Sequence, residues 1–445
     1  MSQVIFGTDG VRGTPGTYPL DTVTVRRLGA ALAHEFGAES RLLVGRDTRE
    51  SGAWVERHLA TGITAAGGVL VSVGVMPTPG IAFLTTARDF SAGIVVSASH
   101  NPFPSNGIKV LTATGEKASR SLEERLEALV AADFDAWSVL DATAAPPTTV
   151  DMMDDYVTHL EGILSQVPAL DGCRVAVDAA HGAVSRVAPR VLRELGFDVV
   201  EINARPDGRN INAASGSTHP EALQSVVVER QCRLGFAFDG DGDRVILVDH
   251  RGRLVDGDAV LFVCASHLKS TDRLTGNAIA ATVMSNIGLE IALADMGIAM
   301  HRCAVGDWHV HEEMLRHGLA LGGEQSGHII FSEFLPTGDG LATALYVLRV
   351  IAETGLELAD LVGPFTTFPQ VLVNVPVSEK RDLECVPEVA DAIEAAERQL
   401  SGQGRVLVRY SGTESLLRIM IEGRDLAIVQ KLADGIATRA REQLG

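Results

Sequence analysis

One pattern constrains the fold more than any other: an alternation of short apolar runs and helical stretches that restarts three times along the chain. In the first round, 41–45, 69–73 and 93–97 read as strands, and 51–66, 77–87 and 121–131 as helices. The second round places strands at 174–178, 198–202 and 234–238, with helices at 184–195 and 220–231. The third begins near Asp256, with strands at 278–283, 299–304 and 319–322 and helices at 287–296 and 340–352. Strands alternating with helices predict parallel-rich sheets with right-handed crossovers. In every round a late strand ends in a polar, glycine-containing loop: 97–102, 239–244 and 323–328. Ligands of open α/β sheets sit beyond the carboxyl ends of the strands. Three such loops facing one cleft therefore predict one site. From about Phe368 the pattern changes to strands at 371–377, 405–409 and 416–421 with two helices, a smaller α+β domain. The small, Pro-containing stretch 144–149 reads as a linker. The expectation is an α/β protein of four domains, 1–150, 151–253, 254–366 and 367–445, around a central cleft. The first three are similar units with mixed, mostly parallel sheets.

Composition narrows the function classes. A chain of 445 residues suits three or four domains. Its 5% aromatic content predicts mostly aliphatic cores. The five cysteines, Cys173, Cys232, Cys264, Cys303 and Cys385, are scattered without a C-x-x-C pair. That spacing predicts reduced thiols in the cytoplasm, with neither disulfides nor a zinc site. No apolar run approaches the ~18 residues of a membrane span, and the first residues lack a signal-type core. No membrane partner is expected. A formal charge of −19 argues against nucleic acid as a partner. An anionic substrate must then be drawn by local basic groups, not by the global field.

The loops carry the chemistry. Ser97-Ala98-Ser99-His100-Asn101-Pro102 follows the strand at 93–97, and a strand that meets small polar residues and then Pro must turn. Ser99 is expected on that turn with its hydroxyl exposed, as a covalent centre that carries phosphate. Asp239, Asp241 and Asp243 alternate with glycines that give the loop freedom, so three carboxylates converge on one hard cation. The EF-hand register fails, with Arg244 at the sixth position and His250 at the twelfth. Three protein oxygens leave octahedral Mg²⁺ under-coordinated, and a phosphate oxygen is the usual completion. Glu324, Gln325, Ser326 and His328 offer carboxylate, amide, hydroxyl and imidazole side by side, the set that sugar hydroxyls require. Arg409 and Arg418 flank a turn with Ser411, Gly412 and Thr413, which suits a phosphate dianion. The segment 7–13 is glycine-rich but lacks the Rossmann spacing; Arg12 would reach a phosphate from a mobile loop. Lys109 would return to the same cleft through a tight turn at Asn106-Gly107. His309 and His311, two apart on a helix, face different sides and make no metal site; the other histidines carry no spacing signal.

The motifs at 6–13, 97–102, 239–244, 323–328 and 409–418 occur in this order across the whole chain. Together they resemble the α-D-phosphohexomutase superfamily. Within it, Gln325, where glucose and mannose enzymes usually carry Met, and the stretch 206–212 resemble the bacterial amino-sugar members. The resemblance implies a four-domain enzyme that interconverts glucosamine 6-phosphate and glucosamine 1-phosphate through glucosamine 1,6-bisphosphate, supplying UDP-N-acetylglucosamine synthesis. It implies a phosphorylated Ser99, with Ser99, Asp239, Asp241 and Asp243 as Mg²⁺ ligands. Arg12, His100, Lys109, Arg244 and His328 would stabilise phosphate or transfer protons, with Lys109 and His328 both open as the base. Glu324 and Ser326 would contact sugar hydroxyls, and Arg409, Ser411, Gly412, Thr413 and Arg418 the unreacting phosphate. A homodimer is also implied. Trp308-His309 departs from the Arg-Tyr of relatives, Ser105 from a common Asp and His181 from a common Asn. The alternatives are glucose or mannose phosphates on the same chemistry, a Mg²⁺-dependent sugar phosphatase, or a non-catalytic phosphosugar-binding relative. An intact Ser99, Lys109 and Asp triplet argues against the last.

Overall fold

The structure is a computed structural model that describes residues 5–7, 9–37, 39–132, 146–164, 170, 172–411 and 415–445. The chain divides into two compact units, Met1–Met284 with Ile298–Gly363, and Ser285–Gly297 with Pro364–Gly445. No helix of the described residues is long and apolar enough to cross a membrane.

The first unit contains one four-stranded motif three times over. Its first strand is Arg41–Arg46, Arg174–Asp178 or Ala278–Thr282. A second strand lies parallel on one side: Val69–Val75, Asp198–Ile202 or Ala299–Cys303. A third lies parallel on the other: Ala92–Val96, Leu234–Phe238 or Leu321–Gly323. A fourth then runs antiparallel along the third: Asn106–Thr112, Val245–Asp249 or Ile329–Phe331. The third strands are buried at every position, as an interior strand covered on both faces must be. The three polar loops foreseen from the sequence are the connections from third to fourth strand in the three copies. Equivalent topology therefore carries each loop to the equivalent sheet end.

Several local expectations are corrected. Asn106-Gly107 is not a turn; it opens the fourth strand, which carries Lys109. Residues 7–13 are not a free loop. Phe6–Gly7 and Gly10–Gly13 pair antiparallel, and Gly10–Gly13 adds to Asn106–Thr112, extending a seven-stranded sheet. Within the expected linker, Thr148–Thr149 pairs with Val71 and Ser72 as the other edge of that sheet, while 144 and 145 lie outside the described residues. Helices Thr22–Phe36, Met153–Glu161 and Gly257–Ser270 were not foreseen.

The second unit is a three-stranded antiparallel sheet, ordered Gln370–Pro376, Leu416–Gly423, Gly404–Tyr410, with helices Pro387–Leu400 and Leu426–Leu444. Val375, Leu417, Ile419 and Ile421 from the sheet pack with Val429, Ala433 and Ile436 of the last helix. The helix Ile287–Asp295 joins strands Ala278–Thr282 and Ala299–Cys303 of the third repeat, as expected, while its contacts group it with this unit. The cause is Asn286, whose amide mimics a strand. Its Nδ2 donates to Phe368 O at 3.0 Å and its Oδ1 accepts from Phe368 N at 2.9 Å.

One buried carboxyl sets a pH dependence in the first unit. Asp339 caps the helix Gly340–Thr354, accepting from Leu341 N and Ala342 N at 2.9 Å, and Tyr156 donates its hydroxyl at 2.8 Å. Burial outweighs these bonds and pushes its pKa up to about 6 from 3.8. Between those values only the folded state holds the proton. Stability from this group is therefore complete below pH 3.8 and is lost as pH rises through about 6. The loss is about 3 kcal/mol. Denaturant titrations at pH 4 and pH 7.5 should show wild type losing about that much more than Asp339→Asn over the interval.

Candidate active site

The Ser99 loop is held by a buried ion pair from the first strand of its own motif. Arg49 Nε donates to Asp47 Oδ2 at 2.8 Å and Arg49 N to Asp47 Oδ1 at 2.9 Å. The guanidinium then donates to the carbonyls of Ser99 (3.0 Å), Asn101 (2.8 Å) and Pro102 (2.6 Å). Asn212 Nδ2 binds the first two of these carbonyls again, at 2.8 and 3.0 Å. Ser97 Oγ donates to Asp47 Oδ2 at 2.5 Å and accepts from Ser99 N at 2.9 Å. So many bonds over-determine the backbone and hold Ser99 at φ +49°, a region that non-glycine residues rarely adopt. The hydroxyl is not exposed as the sequence suggested. Ser99 is 2% accessible, because its Oγ donates to Asp239 Oδ2 at 2.6 Å.

Asp239, Asp241 and Asp243 are all buried, and one oxygen from each lies within 4.8 Å of the others. Glycine serves space here more than freedom. A side chain at Gly240 would stand 2.6 Å from the Ser99 carbonyl, and Gly242 has φ +76°. Burial raises Asp239, and Asp243 and Asp241 raise it further, well above the usual carboxylate range. For Asp241, burial is outweighed by Lys109 and the Thr78 hydroxyl, which hold its carboxyl below that range. Thr78 Oγ1 donates to Asp241 Oδ2 at 2.7 Å. Asp241 Oδ1 and Asp243 Oδ1 are buried without a hydrogen-bond partner among the described residues. Converging carboxylates with unsatisfied oxygens fit a hard divalent cation.

Basic groups surround this cluster. Lys109 Nζ lies 3.4 Å from Asp241 Oδ2, 3.5 Å from Asp243 Oδ2 and 3.6 Å from Asp9 Oδ1. Burial alone would lower its pKa, but Asp241, Asp9 and Asp243 hold it well above the usual amine value. Arg12 donates through Nη1 to Ser97 O at 2.9 Å and pairs with Asp9. Lys117 Nζ bridges Asp9 Oδ1 (3.0 Å) and Asp307 Oδ1 (2.9 Å). Burial would raise Asp9, yet Lys109, Lys117 and Arg12 keep it far below its ordinary value. His100 Nδ1 lies 3.4 Å from both Ser99 Oγ and Arg244 Nη1. Burial and then Arg244 lower the His100 pKa.

The third loop closes against the second. Arg244 and His328 form a backbone bridge. The His328 ring is 2% accessible and lies against Gly338, where a Cβ would collide with it. Neither of its ring nitrogens has a hydrogen-bond partner among the described residues. Glu324 Oε1 accepts from Gly306 N at 3.1 Å, and Ser326 Oγ lies 3.4 Å from Glu324 Oε2. Gln325 Nε2 donates to Asp256 Oδ2 at 3.2 Å. Arg244, Thr282, Met284, Val305, Glu324, Gln325 and Ser326 line a cavity of about 400 Å³, within the range of small-ligand sites.

In the second unit, Arg409 and Arg418 are direct cross-strand partners. Like charges so placed repel unless an anion lies between them. The turn they flank begins at buried Ser411, whose carbonyl accepts from Lys380 Nζ at 2.6 Å; Gly412 and Thr413 lie outside the described residues.

The structure thus brings Ser99, His100, Lys109, Arg12, the Asp triplet, Arg244, Glu324, Ser326 and His328 into the first unit's three loops and their neighbours. Sequence reasoning missed Asp9, Asp47, Arg49, Thr78, Lys117, Asn212 and Asp307. A usable signal existed for Asp47, which follows the end of a first strand much as Asp178 closes the equivalent strand of the second repeat.

Comparison with known proteins agrees with the ordered motifs. Models of the phosphoglucomutase/phosphomannomutase alpha/beta/alpha domains I, II and III match residues 3–136, 154–252 and 256–368, and the C-terminal domain model matches 372–439. The phosphoglucosamine mutase of Syntrophotalea carbinolica is 44% identical over 454 residues, covering 100% of this chain and 99% of that protein. That of Rhodococcus jostii is 46% identical over 438 residues, covering 97% and 98%. A phosphoglucomutase/phosphomannomutase family protein of Burkholderia thailandensis superposes with a TM-score of 0.80 at 25% identity, over 100% of this chain and 98% of that one. An Aspergillus fumigatus N-acetylphosphoglucosamine mutase, solved with GlcNAc-6P and magnesium, shares the fold with a TM-score of 0.66 at 18% identity, over 99% and 96%.

The Arg49 clamp has a measurable consequence. Arg49→Met leaves the Asp47 carboxylate buried and unpaired and strips three loop carbonyls of their donor. Unfolding measurements should show a loss of about 3–5 kcal/mol, the usual cost of removing one partner of a buried pair.

Proposed function

The chain belongs to the phosphoglucomutase/phosphomannomutase family, the α-D-phosphohexomutases, and from that premise we propose that it interconverts glucosamine 6-phosphate and glucosamine 1-phosphate. The observation that carries the reading is the Ser99 hydroxyl, fixed in a strained turn against a buried aspartate triplet. Its support for the sugar is the likeness, over nearly the whole length, to relatives named phosphoglucosamine mutase.

Phosphoryl transfer demands in-line placement and neutral surroundings for the equatorial oxygens. Ser99 Oγ carries the phosphoryl group, and the carbonyl clamp from Arg49 and Asn212 holds that oxygen in one direction. Asp239, Asp241 and Asp243 would hold Mg²⁺, which would withdraw charge from the phosphoryl oxygens. The free hydroxyl of the bound sugar monophosphate attacks phosphorus, a new P–O bond forms, and the bond to Ser99 Oγ breaks. The products are glucosamine 1,6-bisphosphate and free serine. Transfer of the other phosphate back to Ser99 completes the exchange. Arg12, Lys109, Arg244 and His100 share the charge that develops. Lys109, whose pKa Asp241, Asp9 and Asp243 raise against burial, is a cation placed to meet the phosphoryl charge. His328, buried with both nitrogens unengaged among the described residues, takes the proton from the attacking hydroxyl and later returns it. Glu324 and Ser326 receive sugar hydroxyls in the lined cavity. Arg409, Ser411, Gly412, Thr413 and Arg418 recognise phosphate in the second unit. The protein works in the cytoplasm, consistent with its free cysteines, as a homodimer.

Peptide mass analysis of purified protein should find phosphate on Ser99. Ser99→Ala should lose turnover on the order of 10⁶-fold, as deletion of a covalent nucleophile does. Side-by-side rates should favour glucosamine phosphates over glucose and mannose phosphates; a preference for mannose 6-phosphate would overturn the sugar while leaving the phosphoserine chemistry intact.

The base assignment has its own readout. His328→Gln should lower kcat by roughly 10²–10⁴, the usual contribution of a general base.

A further inference from the structure

A second cluster of metal-ligating side chains lies at the far end of the helix that follows residues 304–306, of which Val305 lines the cavity described above. That helix, Asp307–His317, begins just after Gly306, whose N–H donates to Glu324. One turn apart near its other end stand Glu313 and His317, on one face. The edge strand Ala299–Cys303 brings His301 to meet them. Glu313 Oε1 lies 3.1 Å from His317 Nε2 and 3.8 Å from His301 Nδ1. The two imidazoles stack with centroids 4.0 Å apart and planes inclined by 23°. One ligand atom from each of the three residues falls within 4.8 Å of the others. The second carboxylate oxygen, Oε2, is taken by Arg316 Nη1 at 2.7 Å, which leaves Oε1 turned to the histidines.

Both supporting elements are firm. Val310 and Met314 of the helix pack into one core with Ala278 and Ala280, and Cys303 of the edge strand packs against it. The side chain of Glu313 is 12% accessible, and those of His301 and His317 are 33% and 37%. The cluster therefore has a mostly covered carboxylate at its base and two half-open histidines at its mouth. Two imidazoles and one carboxylate disfavour Mg²⁺, which prefers oxygen alone, and suit the borderline transition ions.

We propose that His301, Glu313 and His317 bind one divalent transition-metal ion of the zinc class, with water in the fourth position. The ligand atoms draw in by small side-chain rotations to reach Zn–N and Zn–O bonds of roughly 2.0–2.2 Å. The ion then joins the strand before residues 304–306 to the helix after them, so it braces from behind the segment that brings Val305 to the cavity. The proposal does not depend on which sugar the enzyme turns over.

The test uses the whole protein, stripped with chelator and returned to excess Mg²⁺ so that the aspartate triplet is saturated. Co²⁺ is titrated by visible absorption, and Zn²⁺ by calorimetry. Wild type should bind one equivalent of either ion. His301→Ala and His317→Ala should each weaken that binding at least tenfold, while His250→Ala, an exposed histidine elsewhere, should leave it unchanged. Zn²⁺ should raise the melting temperature of wild type and not of the two cluster variants, whose melting without metal checks that they fold. Wild type that binds neither ion in excess Mg²⁺, or cluster variants that bind as wild type does, would overturn the site.

Discussion

Three carboxylates converging out of water are the constraint to which the rest of the first unit answers. Asp239, Asp241 and Asp243 cannot all be charged and buried at close range without compensation. The surroundings supply it piece by piece. Lys109 reaches in from the neighbouring sheet, Thr78 donates from a helix start, and Ser99 donates from its own loop. Each of these comes from the first repeat, whereas the aspartates come from the second. The carboxylate cluster therefore also joins two repeats, and the Ser99 hydroxyl is placed by the same contacts that satisfy the acids.

The threefold repetition explains how such distant segments meet. A parallel third strand followed by an antiparallel fourth leaves a short hairpin connection, and the motif makes this hairpin in every copy. Three hairpins built alike can then be specialised separately: one for a hydroxyl, one for carboxylates, one for a carboxylate, an amide and an imidazole. The backbone bridge between Arg244 and His328 fixes the second hairpin against the third, and Gly240 allows the first to press on the second. Glycine positions in these loops therefore record close approach between copies.

Much of this was legible in the chain because it is local. The strand-to-loop transitions, the alternating aspartates and the polar run at 323–328 each lie within six consecutive residues. What escaped is what folding alone brings together. Arg49 acts on carbonyls fifty residues away, and Lys117 bridges Asp9 and Asp307. Neither pairing leaves a spacing signature. Lys109 was assigned to the site through the wrong device, since a Gly-containing pair that resembles a turn instead opens a strand. The periodicity of the helix Ile287–Asp295 places it in the third repeat but cannot register the bidentate bonds of Asn286 to Phe368. His301 meets Glu313 and His317 only because a strand edge lies beside a helix face, so a search for histidine spacing passes over it.

The local charge count bears on how a strongly acidic protein would attract a doubly charged phosphate under the proposed function. Around Ser99 the cations Arg12, Lys109, Lys117 and Arg244 are already engaged by Asp9, Asp241, Asp243 and Asp307. With Asp239 included, carboxylates outnumber cations by one. A cluster without cationic excess inside a chain of net charge −19 offers an anion little reason to enter. A divalent cation on the aspartate triplet would change that sign and release Lys109 from part of its work of neutralising acids. The basic side chains would then be free to exchange carboxylate partners for phosphoryl oxygens. On the proposed function, anion binding would be a redistribution of existing ion pairs, and the aspartates would serve affinity as much as chemistry.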